Sequence, residues 1–367
     1  MPDIKTVAVL GSGHGGCAAA ADLTLRGFDV RMHVRSPDKK AAFAKGITVT
    51  GEREGTATPA LMSADLAEVV DGADLVMLVV PARAHGDYAR DLAAFLPAHS
   101  VVMLNPGHTG GSLDFAHGFR TAGGPPITIC ETTTLTYICR MEGAAEVAIY
   151  REVRNLGFAA LPAPETEPLA RRVRPLFANI IPAANVLETG FMNINAVLHV
   201  AGCVMNAGWI EFTGGGFLFY REGITPAVGR VMEVLDDERL AVARRLGIDV
   251  PTFIDFFCEA GLTTEEARRS RSIHRAAIES APNKTIAAPQ SLDHRYVHED
   301  VGYGLVPMAE IAGLAGVETP VTDSLITLSA TCTGIDFREQ GLTLARMGLE
   351  GMSTDALLDV INKGLPD

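Results

Sequence analysis

Through the first half of the chain, short runs that are apolar at nearly every position alternate with longer stretches of mixed polarity. "VAVL" (7–10) opens the series as a buried strand. "CAAAADLTLR" (17–26) follows as an alanine-rich helix ended by Gly27, and Phe28 to Val34 reads as the second strand. "ADLVMLVVP" (73–81, stopped by Pro81), "SVVMLNPG" (100–107), "ITICETTT" (127–134) and "AEVAIYREV" (145–153) read as further strands, with helical stretches such as "HGDYARDLAAFL" between them. Strands that are apolar throughout belong in a parallel sheet covered on both faces.

From about Pro182 the period lengthens to that of helices. "NVLETGFMNINAVLHVAGCVMNAGWIEF" (185–212) predicts a long, largely apolar helix, and "AVGRVMEVLDDERLAVARRLGI" an amphipathic one with Gly247 as its C-cap. "TTEEARRSRSIHRAAIES" opens with a capping-box pattern, Thr263 and Glu266, and carries Arg268, Arg269 and Arg271 as a solvated face. "MSTDALLDVINKGL" is a terminal helix ending at Gly364. The pattern divides the chain into an α/β domain over 1–182, with a doubly wound parallel sheet, and an all-α domain over 183–367. The two are expected to pack closely, with a cleft between them.

The turn after the first strand narrows the fold to a Rossmann-type domain. Gly11, Gly13 and Gly16 form GxGxxG between a strand and a helix, with a second strand following. The first glycine permits the tight turn, the second lets backbone approach a pyrophosphate, and the third lets helix and strand pack closely. Ser12, His14 and Gly15 complete the loop, and the helix N-terminus faces the phosphates. Ligands of such sheets sit outside the carboxyl ends of the strands, so the loops after Leu10, Val80, Leu104 and Cys130 point at the cofactor. Val80, Pro81, Pro106 and Gly107 are therefore expected to line it. NAD sites place Asp or Glu at the end of the second strand, whereas "VRMHVRS" has Val34, then Arg35 and Ser36, and no carboxylate before Asp38. A guanidinium with a hydroxyl suits a 2′-phosphate, so NADP(H) is the expected cofactor and NAD(H) the alternative.

Composition removes other classes. A chain of 367 residues is long for one core, and 47% hydrophobic content supports two. A net charge of -13 argues against a nucleic-acid surface. Neither a signal-peptide pattern nor an apolar stretch long enough to span a bilayer is present in the sequence. The six cysteines, none in a CxxC pair, suit reduced thiols in the cytoplasm better than disulfides or zinc, and no metal is expected.

Two features of the second half carry candidate chemistry. Asn195, His199 and Asn206 fall on roughly one face of the long apolar helix, and a buried polar face needs partners or a ligand. Later, "SLDHRYVHEDVGYGLVP" (291–307) crowds Asp293, His294, Arg295, His298, Glu299 and Asp300 just before an apolar run.

With "GSGHGG", "NPGHTGG" (105–111), "ETTTLTYICR" (131–140), "NVLETGFMNINAVLH" (185–199) and "HRYVHEDVGYGLVP" (294–307) in place, the chain resembles the octopine/nopaline (opine) dehydrogenase family nearly end to end. The resemblance implies a Rossmann domain joined to an all-helical domain. It also implies NAD(P)H-dependent reductive condensation of an amino acid with a 2-oxo acid. It assigns His199 as proton donor and acceptor, Asp300 as its partner and Arg295 as the clamp on the oxo-acid carboxylate, with Asn195 as a further substrate contact. The chemistry agrees. Arginine offers a planar two-pronged donor, histidine can work as acid and base near neutral pH, and a carboxylate on its other nitrogen fixes the tautomer. Asp293, His294, His298 and Glu299 are read as the solvated remainder.

The rival on the same architecture is a 2-oxo-acid, ketopantoate-type or glycerol-3-phosphate-type reductase. Such enzymes typically use a lysine as the central acid or base, and the long apolar helix has His199 and no lysine. A non-enzymatic NADP sensor would keep "GSGHGG" without needing His199, Arg295 and Asp300 together. Partners are expected to be small molecules, a 2-oxo acid and an amino acid, with no nucleic acid and no membrane; a homodimer is the assembly to test.

Overall fold

In the computed structural model, which describes residues 3–365, the first apolar run folds as the strand Thr6–Leu10 of an eight-stranded sheet. The strands run in the order Ile180–Pro182, Leu156–Leu161, Thr128–Thr132, Val101–Leu104, Leu75–Leu78, Thr6–Leu10, Asp29–His33, Leu61–Ser63. Thr6–Leu10 pairs in parallel with both neighbours, and the chain order reverses direction across the sheet at its boundary with Leu75–Leu78. That switch point puts the loops following these two strands at the place where such sheets take ligands. Its central strands are buried at almost every position, as strands covered on both faces must be.

The sheet departs from the expected wholly parallel arrangement in two ways. Leu156–Leu161 runs antiparallel to Thr128–Thr132. The segment 145–153 does not join this sheet at all. Its strand Glu146–Glu152 pairs with Tyr137–Gly143 and Ile47–Gly51 in a separate four-stranded sheet edged by Gly55–Ala57. The reason is visible in Tyr137–Gly143, where buried and exposed residues mix as in a strand wetted on one side. The helix His14–Leu25 packs against strands of both sheets. Gly15 through Leu23 are all buried as a result, which explains its run of alanines where an ordinary surface helix would carry a polar face.

Residues up to Gly190, together with those from Asp359 onward, form one compact unit, and Phe191–Leu358 forms the second. The second unit is helical. Its longest helix is Pro226–Arg245, capped by the Thr225 hydroxyl and followed by Gly247 at φ 72°. This helix packs against Asn195–Val204, Ile273–Ile278, Val306–Ala315 and Pro320–Thr333.

The long helix expected within 185–212 is broken into three: Val186–Phe191, Asn195–Val204 and Ala207–Thr213. Asparagines make the breaks. The Asn193 side chain accepts from the backbone N–H of Asn195 at 3.1 Å, and the Asn206 amide donates to the carbonyls of Gly202 (2.8 Å) and Gly223 (2.9 Å). Asparagine competes with helix in this way by bonding nearby backbone. Asn206 therefore lies outside the helix that carries His199 and shares no polar stripe with it. The cap near 263 also moves by one residue. Thr264 accepts from Ala267 N–H at 3.0 Å, while the Thr263 hydroxyl donates to the Ala276 carbonyl.

Candidate active site

In the first unit, the three glycines of the turn meet three different surroundings. A Cβ on Gly11, at φ 132°, would stand 2.2 Å from the Val79 carbonyl oxygen; one on Gly16 would stand 2.0 Å from the Gly11 carbonyl oxygen. These two glycines lock strand, turn and helix together. Around a Cβ on Gly13 nothing lies within 4 Å, so backbone there is open to a ligand. The helix that follows carries no side-chain cap and no acidic residue in its first turn. Its N-terminal N–H groups and dipole thus suit an anion, and these residues fit a pyrophosphate. Gly15 packs under Leu135, and His14 Nδ1 accepts from the Met141 N–H at 3.0 Å.

Beyond the second strand, Arg35 is exposed, with its guanidinium 5.9 Å from the centre of the Tyr88 ring. Ser36 caps the short helix Pro37–Ala42. One turn later Lys39, which sequence reasoning passed over, donates its ammonium to the Ser12 carbonyl at 2.8 Å. Lys39 thus reaches the glycine turn, and Arg35 and Ser36 precede it at the end of the second strand, with Asp38 the nearest carboxylate in sequence, in the first turn of the next helix. The signal for Lys39 was its place three residues after a serine N-cap.

Val80 and Pro81 follow the strand Leu75–Leu78, and Val80 Cγ1 would lie 3.2 Å from a Cβ on Gly11. Pro106 and Gly107 follow Val101–Leu104. Asn105 anchors that loop, accepting from Thr136 N–H (3.0 Å) and the Thr132 hydroxyl (3.1 Å) and donating to the Thr136 hydroxyl (2.7 Å). A Cβ on Gly107 would strike Glu131, which is wholly buried and accepts from the hydroxyls of Ser112 and Thr189. Burial pushes the Glu131 carboxyl up to about 7 against the pull of those hydroxyls. A carboxylate ending an apolar strand in "ITICETTT" was the sequence signal for this group.

In the second unit, the helices Asn195–Val204 and Arg295–Asp300 pack against each other and bring His199 to Asp300. Nδ1 of His199 lies 2.7 Å from Oδ2 of Asp300, with both side chains largely buried. The hydrogen bond assigns the proton to Nδ1, which leaves Nε2 as the acceptor in neutral imidazole. Small residues permit the approach. A Cβ on Gly202 would lie 2.5 Å from the Phe219 ring, and one on Gly304 would lie 2.7 Å from Cβ of Ala196. Both flanking segments, Phe219–Gly223 and Val301–Leu305, are π-helical, a conformation that recurs at functional sites.

Segment 294–300 is a helix capped by His294. Burial, and next the Arg295 charge, hold the His294 imidazole below its usual range. Arg295 lies five residues from Asp300, on a different side of this helix. Its side chain is 73% exposed and pairs with Glu299 at 3.1 Å, and Glu299 is only 11% exposed and so is not part of a solvated remainder. Asp293 and His298 pair with each other at 2.7 Å. Asn195 begins the His199 helix, half-buried. Tyr296, which sequence reasoning left without a role, stacks on the His199 ring.

A doubly wound sheet with an open glycine turn, followed by a helical unit holding a buried His–Asp pair, is the build of a nicotinamide-dependent oxidoreductase. Comparison with known proteins makes this specific. Residues 182–333 match the family model for the NAD/NADP octopine/nopaline dehydrogenase alpha-helical domain, and residues 6–116 that for the NAD-dependent glycerol-3-phosphate dehydrogenase N-terminus. The chain is 33% identical over 368 residues to an opine dehydrogenase from Arthrobacter sp. (strain 1C), covering 98% of this chain and 100% of the relative. It belongs to the opine dehydrogenase family of NAD(P)-dependent oxidoreductases. In fold it is similar to octopine dehydrogenase bound to NADH and L-arginine (TM-score 0.79, 19% identity, 99% of each chain covered). Yersinopine dehydrogenase with NADP+ bound is also similar (TM-score 0.76, 17% identity, 99% of this chain and 98% of that one). Among the described residues, no helix is long and apolar enough to cross a membrane.

Proposed function

We propose that this chain is an NADPH-dependent opine dehydrogenase that uses His199 and Asp300 as its acid–base pair. Overall, an amino acid, a 2-oxo acid, NADPH and a proton give a secondary-amine dicarboxylate, water and NADP+. The observation that carries the mechanism is the 2.7 Å contact between Nδ1 of His199 and Asp300. It holds Nε2, protonated in the imidazolium form, as the atom that gives a proton to the oxo-acid oxygen as the amine adds, takes one back from the added nitrogen and gives it to the departing hydroxyl, so that one proton is consumed overall. Asp300 fixes the tautomer and orientation of the imidazole. Arg295 grips the oxo-acid carboxylate with two parallel N–H donors, and Asn195 offers a further polar contact. The bound cofactor supplies the hydride that reduces the imine once water has left. Gly11 to Gly16 carry its pyrophosphate, with Val80, Pro81, Pro106 and Gly107 beside it.

Arg35, Ser36 and Lys39 support NADPH over NADH, since three donors without a strand-end carboxylate match a phosphate dianion better than a hydroxyl pair. The net charge of -13 supports small-molecule partners rather than nucleic acid, and the free cysteines support a reducing, cytoplasmic setting. Light scattering would read whether two copies pair. The test of function is NADPH oxidation over 2-oxo acids crossed with amino acids. Oxidation that requires both substrates is the expected result. Oxidation with the oxo acid alone would replace this reading with that of a ketopantoate-type reductase.

A further inference from the structure

We infer that Tyr296 is a positioning residue for His199, fixing the plane of its imidazole while Asp300 fixes its direction. The inference rests on His199 as the acid–base group and adds a residue to which the proposed function gave no part. The Tyr296 and His199 rings lie with centroids 3.7 Å apart and planes 9° from parallel. A single hydrogen bond at Nδ1 leaves the ring able to swing about that contact, and Nε2 would swing with it. A parallel ring against one face removes this freedom. Phe219 bounds the same imidazole on another side, its centroid 6.4 Å away and its plane tilted by 56°.

Both constraints come from one turn of one helix. Tyr296 and Asp300 stand four residues apart on Arg295–Asp300, so they share a face and reach His199 together. Tyr296 is itself held. Its backbone N–H donates to His294 Nδ1 at 3.3 Å, and the His294 ring meets it edge-on with centroids 4.6 Å apart. The Phe219 ring lies 5.7 Å from the Tyr296 ring, and burial raises the phenols of Tyr220 and Tyr296 above their usual range. Tyr220 belongs to one of the two π-helical segments, and the other begins directly after Asp300. The arrangement is a scaffold around one ring that leaves Nε2 without a hydrogen bond among the described residues.

The test compares wild type with Tyr296→Phe, Tyr296→Leu and Tyr296→Met, in full-length protein labelled with 15N at histidine. The neighbouring ring should shift the His199 carbon-bound protons upfield in wild type and in Y296F. Y296L and Y296M should release them while the eight histidines other than His199 and His294 stay in place, which also reports that the variants are folded. In the two aliphatic variants kcat should fall about 10- to 100-fold, the scale of a misplaced reacting group, with NADPH Kd unchanged. Y296F should stay close to wild type in kcat. His199 resonances that do not move in a folded Y296L or Y296M would overturn the stack. Full turnover despite moved resonances would overturn its use. A His199→Ala variant with normal turnover would instead sink the acid–base reading, and the NMR result would stand apart from it.

Discussion

His199 and Asp300 are 101 positions apart in sequence and 2.7 Å apart in space, and most of what the second unit can do chemically follows from that contact. If the pair acts as one device, its members should not contribute independently. His199→Ala and Asp300→Asn should each lower kcat by about 10²–10⁴, the usual worth of general acid–base catalysis. The double variant should be hardly slower than the worse single one, because either change disables the same proton transfer. NADPH Kd, measured by fluorescence titration, should stay near wild type in all three. Additive losses in the double variant would show that the two residues serve separate steps.

Cofactor choice should reside in the corner after the second strand. Arg35→Ala should weaken NADPH about 10- to 100-fold, as expected for one charged hydrogen-bonding group, and leave NADH nearly untouched. Lys39→Ala should weaken NADPH in the same direction and also loosen the glycine turn, since its ammonium donates to the Ser12 carbonyl. Some loss of NADH affinity is therefore expected for Lys39 and not for Arg35. Calorimetry with both cofactors separates the cases. Equal weakening of the two cofactors by Arg35→Ala would remove that residue from the 2′-phosphate site.

What could be read from sequence divides along physical lines. The strand–glycine–helix opening was legible because each glycine answers a local steric need, as the 2.2 Å and 2.0 Å clashes at Gly11 and Gly16 show. The helix 185–212 was misread because its apolar period continues across two breaks made by Asn193 and Asn206, and hydrophobic spacing does not register side chains that bond backbone. The second sheet was missed because 145–153 was judged on its apolar centre alone. Tyr296 had a signal, its four-residue spacing from Asp300, but the spacing has meaning only once 295–300 is known to be helical. Lys39 and Glu131 also have local signals, but their partners, the Ser12 carbonyl and the Ser112 and Thr189 hydroxyls, come from other elements and are not in the local pattern.

Glu131 gives the protein a pH dependence unconnected with His199. Its carboxyl titrates near pH 7 when folded, because burial penalises the charge, against 4.5 when exposed. The folded protein therefore holds this proton more tightly than the unfolded chain does. The sign follows from linkage: between about pH 4.5 and 7 stability should decline as pH rises, since ionising the buried group costs more than ionising it in water. Glu131→Gln retains the shape without the charge and should flatten this part of the profile in urea melts between pH 5 and 8. An unchanged slope in the variant would mean that solvent reaches the carboxylate and burial does not govern it.

Arg295 offers the sharpest separation between substrate and cofactor effects. Its guanidinium is largely exposed and ion-paired to Glu299 at 3.1 Å, so it is held in position on one side with donors left for a ligand. A carboxylate bound by two parallel N–H groups depends on the planar fork, which lysine lacks although it keeps the charge. Arg295→Lys should therefore raise the oxo-acid KM about 10- to 100-fold and lower kcat as well, because a carbonyl displaced by a fraction of an ångström no longer presents itself to the hydride. The KM for the amino acid should change less. NADPH Kd should remain at the wild-type value, since Arg295 belongs to the helical unit and the glycine turn to the other. Initial rates with each substrate varied in turn, plus one cofactor titration, give all three quantities. An oxo-acid KM that stays put would move the clamp elsewhere. The arginines of "RRSRSIHR", of which Arg268, Arg269 and Arg275 pair with carboxylates as Arg295 does, are then the residues to change next.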